Sequence, residues 1–169
     1  MNLRIQELIA KDVPVSFEQS LPVDKLFAGN REVREAGPLQ VRLTARPEDK
    51  VAVVEGDFAC ELEMACSRCL EPARVRIEAP FEEHFRQGSP PANEDEQDAD
   101  VEYAPDGKVN LVPYVEEALL LHLPFVPLCS DNCKGLCPQC GHNLNEGECG
   151  CSRERIDPRL AGLKDLFKE

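Results

Sequence analysis

The stretch Phe58-Ala-Cys-Glu-Leu-Glu-Met-Ala-Cys-Ser-Arg-Cys-Leu-Glu-Pro-Ala-Arg-Val-Arg-Ile-Glu-Ala-Pro-Phe81 decides the fold. Phe58, Cys60, Leu62 and Met64 alternate with Ala59, Glu61 and Glu63. After them Val75, Ile77, Ala79 and Phe81 alternate with Arg74, Arg76 and Glu78. A period of two gives a strand with one apolar and one wet face, the pattern of antiparallel sheets. The chain must reverse between Met64 and Arg74, so Cys66-Ser-Arg-Cys69 is expected at a hairpin tip. Cys60 shares the inward face with Phe58 and Leu62 and reads as a small core hydrophobe.

Outward from this hairpin the same period recurs. Val13, Val15 and Phe17 alternate with Pro14 and Ser16, and Leu39, Val41, Leu43 and Ala45 with Gln40, Arg42 and Thr44. Pro47-Glu-Asp-Lys50 reads as a turn between strands. Residues 86–100 hold no large apolar side chain and read as an acidic disordered linker. Short segments at 101–103 and 108–110 are expected to form a small hairpin around Pro105-Asp-Gly107. Asn110 is placed to cap a helix over residues 111 to about 123, with Pro113 in the first turn, where a missing N–H does no harm. Leu111, Val115, Ala118, Leu119 and His122 follow helical spacing. Leu120, Leu121 and Leu123 widen the apolar face, so the helix is expected to lie well buried on the sheet. Pro124 and Pro127 end it. A last helix is expected from Asp157-Pro158, with Leu160, Leu163 and Phe167 on its apolar face and Lys164 and Lys168 near its C-terminus.

The 169 residues are enough for a hydrophobic core. No run of eighteen apolar residues exists, and the N-terminus lacks the apolar core and cleavage site of a secretory signal. The expected setting is a reducing cytoplasm, with no membrane association, where structural disulfides are disfavoured. The net charge is −13, and residues 82–106 carry nine acidic residues against Arg86 alone. Such a surface repels phosphate backbones and suits a basic protein partner. No phosphate-binding loop, Ser/His/Asp set or paired-carboxylate site emerges, Glu116 and Glu117 read as solvated, and no small-molecule substrate is expected.

Eight of the nine cysteines then need an account. Cys137-Pro-Gln-Cys140 can put two sulfurs on one ion while its backbone amides point at them, and Cys149-Gly-Cys151 offers two more after an eight-residue loop. The first expected zinc site is therefore Cys137, Cys140, Cys149 and Cys151. Cys66, Cys69, Cys129 and Cys133 remain as a second set, which would join the hairpin tip to the segment after the long helix. Spacing alone leaves open a rival set of Cys129, Cys133, Cys137 and Cys140. One or two Zn2+ ions are expected. Four thiolates close a zinc shell and leave no place for water, so the role is structural rather than catalytic. His142 reads as an exposed loop residue, His84 and His122 as structural. No ferredoxin spacing supports an iron–sulfur cluster, and neither Cys-x-x-Cys opens a helix after a parallel strand, as a redox dithiol would.

Cys66-Ser-Arg-Cys69, the run Val115-Glu-Glu-Ala-Leu-Leu-Leu-His-Leu-Pro-Phe-Val-Pro-Leu-Cys129, the run Cys133-Lys-Gly-Leu-Cys-Pro-Gln-Cys-Gly-His-Asn-Leu-Asn145 and Asp157-Pro-Arg-Leu-Ala161 resemble the bacterial YceD family. Its members are described as large ribosomal RNA subunit accumulation proteins, with plant plastid relatives. The resemblance spans nearly the whole chain, and Cys-Lys-Gly-Leu-Cys-Pro is its specific block. It implies a role in 23S rRNA accumulation or processing during large-subunit assembly, and a gene often beside that of a small basic ribosomal protein. It supplies no catalytic residues.

The expected architecture is α+β: an antiparallel β-sheet with one buried helix and a C-terminal cysteine-rich zinc knuckle followed by a short helix. Its units are an antiparallel β domain over 1–85, the linker over 86–100, the hairpin and buried helix over 101–128 and the knuckle with its helix over 129–169. The expected function is non-enzymatic support of ribosome biogenesis, by binding a basic large-subunit ribosomal protein or a pre-ribosomal particle. The alternatives are direct rRNA binding through a basic face of Arg42, Arg74 and Arg76, or a cytoplasmic zinc-thiolate redox switch.

Overall fold

In the computed structural model the structure describes residues 1–91 and 100–151. The expected C-terminal helix from Asp157 lies outside the described residues, as do positions 92–99 of the acidic segment. The sheet is built on the hairpin of β5 (Val51–Ala65) and β6 (Pro72–Gln87), paired antiparallel from Val51↔Arg86 to Ala65↔Pro72. One edge of β5 takes β4 (Leu39–Glu48) along residues 51–59, and then β3 (Val33–Ala36) along residues 62–64. β2 (Val15–Leu21) pairs with β4 and forms the outer edge. The β4–β5 connection is tighter than a Pro47–Lys50 turn: pairing runs to Glu48↔Val51, and Asp49 and Lys50 both take left-handed φ, 44° and 69°. That is the backbone of the two-residue hairpin turn whose twist matches its strands.

The sheet is mostly antiparallel, as expected, but residues 101–110 pair differently from the sequence reading. No 101–110 hairpin forms. β7 (Val101–Ala104) runs parallel to β6, from His84↔Val101 to Gln87↔Ala104. β8 (Lys108–Asn110) pairs antiparallel with β1 (Asn2–Arg4). The turn chemistry is real, since the Gly107 N–H donates to the Ala104 carbonyl at 3.0 Å. What the local signal misses is that β6 runs on through Arg86 and Gln87 and offers its free edge to β7.

Among the described residues two helices pack on the sheet. α1 (Ile5–Lys11) was not foreseen, although Ile5 and Leu8, both buried, are spaced one helical turn apart. The Glu7 carboxylate meets Arg4 at 2.6 Å and Lys11 at 3.7 Å, and Asp12 ends the helix in a left-handed conformation, φ 50°. α2 (Val112–Leu121) is one residue shorter at its start than expected and two at its end. Asn110 contributes to its start, accepting from the Val112 N–H at 3.2 Å. Val115 and Leu119 are buried. The expectation of a helix buried over a wide face is corrected: Leu120 is 40% and Leu121 77% exposed, because one stripe meets the sheet and the other faces solvent. On the outer edge strand likewise Val15 is 41% exposed, since a strand paired on one side has little to bury it.

One core joins the two helices to the sheet, so residues before and after the acidic segment pack together: Ile5, Leu8, Phe58, Met64, Phe85, Leu111, Val115 and Leu119 all belong to it. Phe85 meets Tyr114 edge-on at 4.9 Å, and Phe58 meets His122 at 5.6 Å. Cys60 is buried in this core and donates weakly to the Gly37 carbonyl at 3.4 Å, as its strand position implied.

The sequence reading gave Gly56 no role, yet the β4–β5 pairing depends on it. A methyl group there would overlap the Arg42 carbonyl oxygen and sit 2.8 Å from the Leu43 Cα, both backbone atoms that cannot swing aside. Gly56→Ala is expected to destabilise the fold by about 2–3 kcal/mol, the scale of overpacking. Urea unfolding with both variants at equal metal content reads it; a midpoint matching wild type removes the claim.

Candidate metal centres

The first centre starts at the hairpin tip. The Cys66 N–H donates to Glu71 O at 2.8 Å and the Leu70 N–H to Cys66 O at 2.9 Å, which closes a tight turn and places Cys66 and Cys69 side by side. The segment leaving α2 is tied to this tip by the Ser67 N–H, donated to Pro127 O at 2.9 Å, and so delivers Cys129 and Cys133. The Cys66 and Cys133 sulfurs are 3.8 Å apart, those of Cys69 and Cys129 3.5 Å, and all four lie within 4.8 Å of one another. The second group, Cys137, Cys140, Cys149 and Cys151, meets the same 4.8 Å limit.

These separations discriminate between chemistries. Sulfurs about 2.3 Å from a central ion in a tetrahedron stand about 3.8 Å apart. A disulfide needs about 2.05 Å, and all nine cysteines are free thiols. Each group can hold a metal ion. The structure brings together the two sets that the spacing suggested, and the rival set of Cys129, Cys133, Cys137 and Cys140 is not gathered. His142 is outside both groups; its carbonyl instead accepts the Cys137 N–H at 2.8 Å and shapes the Cys-Pro-Gln-Cys turn.

The residues between the centres do more than connect them. Gly135 crosses over the hairpin tip with φ 75°, and a Cβ there would come to 3.0 Å from Arg68 O. Only a residue without a side chain takes both that conformation and that approach. Next to it the Leu136 N–H donates to Arg68 O at 3.1 Å, while the Arg68 guanidinium donates to Cys133 O at 2.8 Å. Asn145, from the loop of the second group, accepts the Lys134 N–H at 2.8 Å and donates to the Cys133 sulfur at 3.3 Å. Sequence reading missed Arg68, Gly135 and Asn145. The available signal was Asn143-Leu-Asn145, since asparagine in a loop often bonds nearby backbone.

Thiols crowded like this cannot all ionise together. Burial pushes Cys66 up, but N–H groups of Cys69, Arg68 and Cys129 outweigh it and bring the thiol down to about 6. N–H groups of Cys140 and Gln139 bring Cys137 to about 6 as well. The Asn145 amide is the main influence holding Cys133 below the ordinary thiol range. The Glu71 N–H pulls Cys69 down, yet burial and the sulfurs of Cys129, Cys66 and Cys133 push it to about 12. Cys140 and Cys149 are the main causes pushing Cys151 to about 12. Each group therefore contains a ready thiolate and a reluctant thiol, and a cation binding there would displace the protons still bound.

Arg42 meets Asp57 at 3.0 Å, Arg46 meets Glu55 at 2.9 Å, and Arg76 meets Glu78 at 3.3 Å and Glu61 at 3.8 Å. Arg74 stands opposite Glu63 in the β5–β6 register. Arg42, Arg46 and Arg76 are thus paired with acids, and Arg74 has one as its cross-strand neighbour. At the β6–β7 edge, Glu82, Glu83, Asp100 and Glu102 line a shallow depression with His84. Burial there pushes the Glu83 carboxyl up, and Glu102 and Glu117 add to it.

A family described as large ribosomal RNA subunit accumulation protein YceD matches residues 54–167. An uncharacterized protein of Mycobacterium tuberculosis is 34% identical over 129 residues, covering 76% of this chain and 62% of the relative. The uncharacterized protein YlbN of Bacillus subtilis is 28% identical over 154 residues, 90% of this chain and 88% of the relative. A chloroplastic protein of Arabidopsis thaliana, named large ribosomal RNA subunit accumulation protein YCED homolog 1, is 25% identical over 165 residues, 82% of this chain and 51% of the relative. The chain thus spans 62% of the length of the mycobacterial relative and about half that of the plastid one. No solved structure matches.

In metal-free chain, thiolate absorbance is expected to show a step near pH 6 that loses part of its amplitude in Cys66→Ser and part in Cys137→Ser. Both values lie below the ordinary 9.0, so this part of the stability grows as pH rises from 6 to 9 and is lost as pH falls through 6. Cys69 and Cys151 act oppositely above 9.0, where their raised values favour the protonated fold. A single thiolate step near 9 in every variant would overturn this assignment.

Proposed function

The chain belongs to the YceD family, and on that premise we propose that it is a non-enzymatic factor supporting 23S rRNA accumulation and large-subunit assembly, acting by binding a basic large-subunit ribosomal protein. The observation that carries the partner's chemistry is the distribution of charge. A net charge of −13 includes an acidic edge of Glu82, Glu83, Asp100 and Glu102, whereas the outward arginines are matched by acids. A basic protein gains from approaching that edge, and an RNA backbone is repelled by it.

In this reading Cys66, Cys69, Cys129 and Cys133 hold one zinc ion, and Cys137, Cys140, Cys149 and Cys151 hold another. Four thiolates leave zinc no open position, so what the ion supplies is a cross-link rather than chemistry on a substrate. The protein's own groups prepare for it: the tip amides hold Cys66 ionised, and the Ser67–Pro127 hydrogen bond brings the segment after α2 to the tip. Cys69 and Cys129 are 60 residues apart, and a clip closing such a loop is worth on the order of 4 kcal/mol in chain entropy. The second ion orders a knuckle that has Leu144 as its buried apolar residue outside the cysteines.

Purified chain is expected to carry two zinc ions, and Cys66→Ser and Cys137→Ser one each; a chain without metal, or one losing both ions in a single variant, contradicts the assignment. Capture from a lysate is expected to recover a basic large-subunit protein, to lose it as salt rises, and to lose it in the combined Glu82→Gln, Glu83→Gln, Glu102→Gln variant. Recovery of rRNA without that protein, abolished instead by changing Arg42, Arg74 and Arg76 to Glu, would favour direct RNA binding.

A further inference from the structure

We propose that the two cysteine groups form one linked module, in which Asn145 of the second group's loop positions Cys133 of the first, so that filling either site tightens the other. The inference rests on both groups binding metal, and it concerns how they communicate.

Asn145 bonds both across to the first group and within its own loop. Its Nδ2 donates to the Cys133 sulfur at 3.3 Å and to Asn143 Oδ1 at 2.9 Å. Its Oδ1 accepts the Lys134 N–H, the residue after that ligand, at 2.8 Å. Around it the Leu144 N–H donates to Gly135 O at 2.9 Å, and Leu136 and Asn143 form an antiparallel bridge. Residues 142–145 thus lie along residues 134–137, with the Asn145 amide on a sulfur of the other group.

Beyond these hydrogen bonds, the second site can fix the loop at its two ends. Its ends are the ligands Cys140 and Cys149, the first exposed and the second half-buried, and Leu144 is its buried apolar residue. Little apolar packing fixes the loop when its ends are not joined. An ion on Cys137, Cys140, Cys149 and Cys151 joins them, and Asn145 is then held against Cys133. An N–H···S bond withdraws charge from a metal-bound thiolate, and such supporting contacts are worth about 10–100-fold in metal affinity. Linkage requires the effect to be equal in both directions. Asn145 touches the sulfur and not the ion, so it is a positioning residue.

The test uses the full chain and Co2+ as probe, with a chelator competing for the metal. Disabling the second site by Cys149→Ser with Cys151→Ser is expected to weaken binding at Cys66, Cys69, Cys129 and Cys133 by about 10-fold or more. Asn145→Asp keeps the acceptor for Lys134 but replaces the donor at the sulfur, and is expected to weaken that site by a similar factor. It should also shift its sulfur-to-cobalt charge-transfer band, which loss of packing alone would not. Combining the three changes should add little, since each removes the same contact. Asn145→Ala serves as a second variant if the aspartate prevents folding, with the circular dichroism of the sheet as the control. First-site affinity and band position unchanged in both Asn145 variants overturn the linkage while leaving the metal reading intact. A wild-type chain that takes up no cobalt overturns both.

Discussion

The fold rests on the antiparallel pairing of Val51–Ala65 with Pro72–Gln87, and on its register above all. One slip would turn Phe58, Cys60, Leu62 and Met64 out of the core and Glu61 and Glu63 into it. That register also sets where the strands stop, at Ala65↔Pro72, and so where the Cys66–Cys69 turn projects. The β4, β3 and β7 strands are added to edges of these two, and both helices pack over them. The first candidate metal centre is thus an extension of sheet geometry: a tip held out by two long strands, to which the segment after α2 is brought back.

Beyond the tip, the structure changes its means of holding together. The main core is large and apolar, with Phe58 and Phe85 fully enclosed. The second cluster is small, consisting of Cys66, Cys69, Ala73 and Cys133 with Leu128 and Leu136 against it. Few carbon atoms stabilise it, and hydrogen bonds to backbone and sulfur supply the order instead. Such a region is poorly suited to standing alone, because each sulfur-facing N–H has its full value only against a charged acceptor. Backbone N–H groups lower Cys66 and Cys137, while burial and neighbouring sulfurs raise Cys69 and Cys151, so the thiols split into low and high.

Much of this was legible beforehand, and the failures have a common form. The hairpin, the cysteine turn at its tip and the burial of Cys60 follow from period-two alternation, which is local. The two cysteine sets were one of two partitions that the spacings allowed, and the fold gathers that one. The 101–110 segment was misread because a good turn signal says that a chain reverses, not which strand each arm joins. α2 was read as too buried because leucine count measures apolarity and not which stripe the sheet covers. α1 left a faint trace in Ile5 and Leu8, outweighed by the charged residues between and around them.

By itself the sequence determined the strand faces, the acidic balance and the short-spaced thiol pairs, since each depends on residue type at short separation; which pairs share a site was left to the fold. Only the tertiary structure decided that β7 runs parallel to β6, that Gly56 must lack a side chain, and that Gly135 and Asn145 lock the two cysteine groups together. Those outcomes are set by contacts between residues on different parts of the fold, such as Gly56 against Arg42 and Gly135 against Arg68. No local pattern encodes a contact whose two partners are ordinary residues until the fold brings them within van der Waals reach.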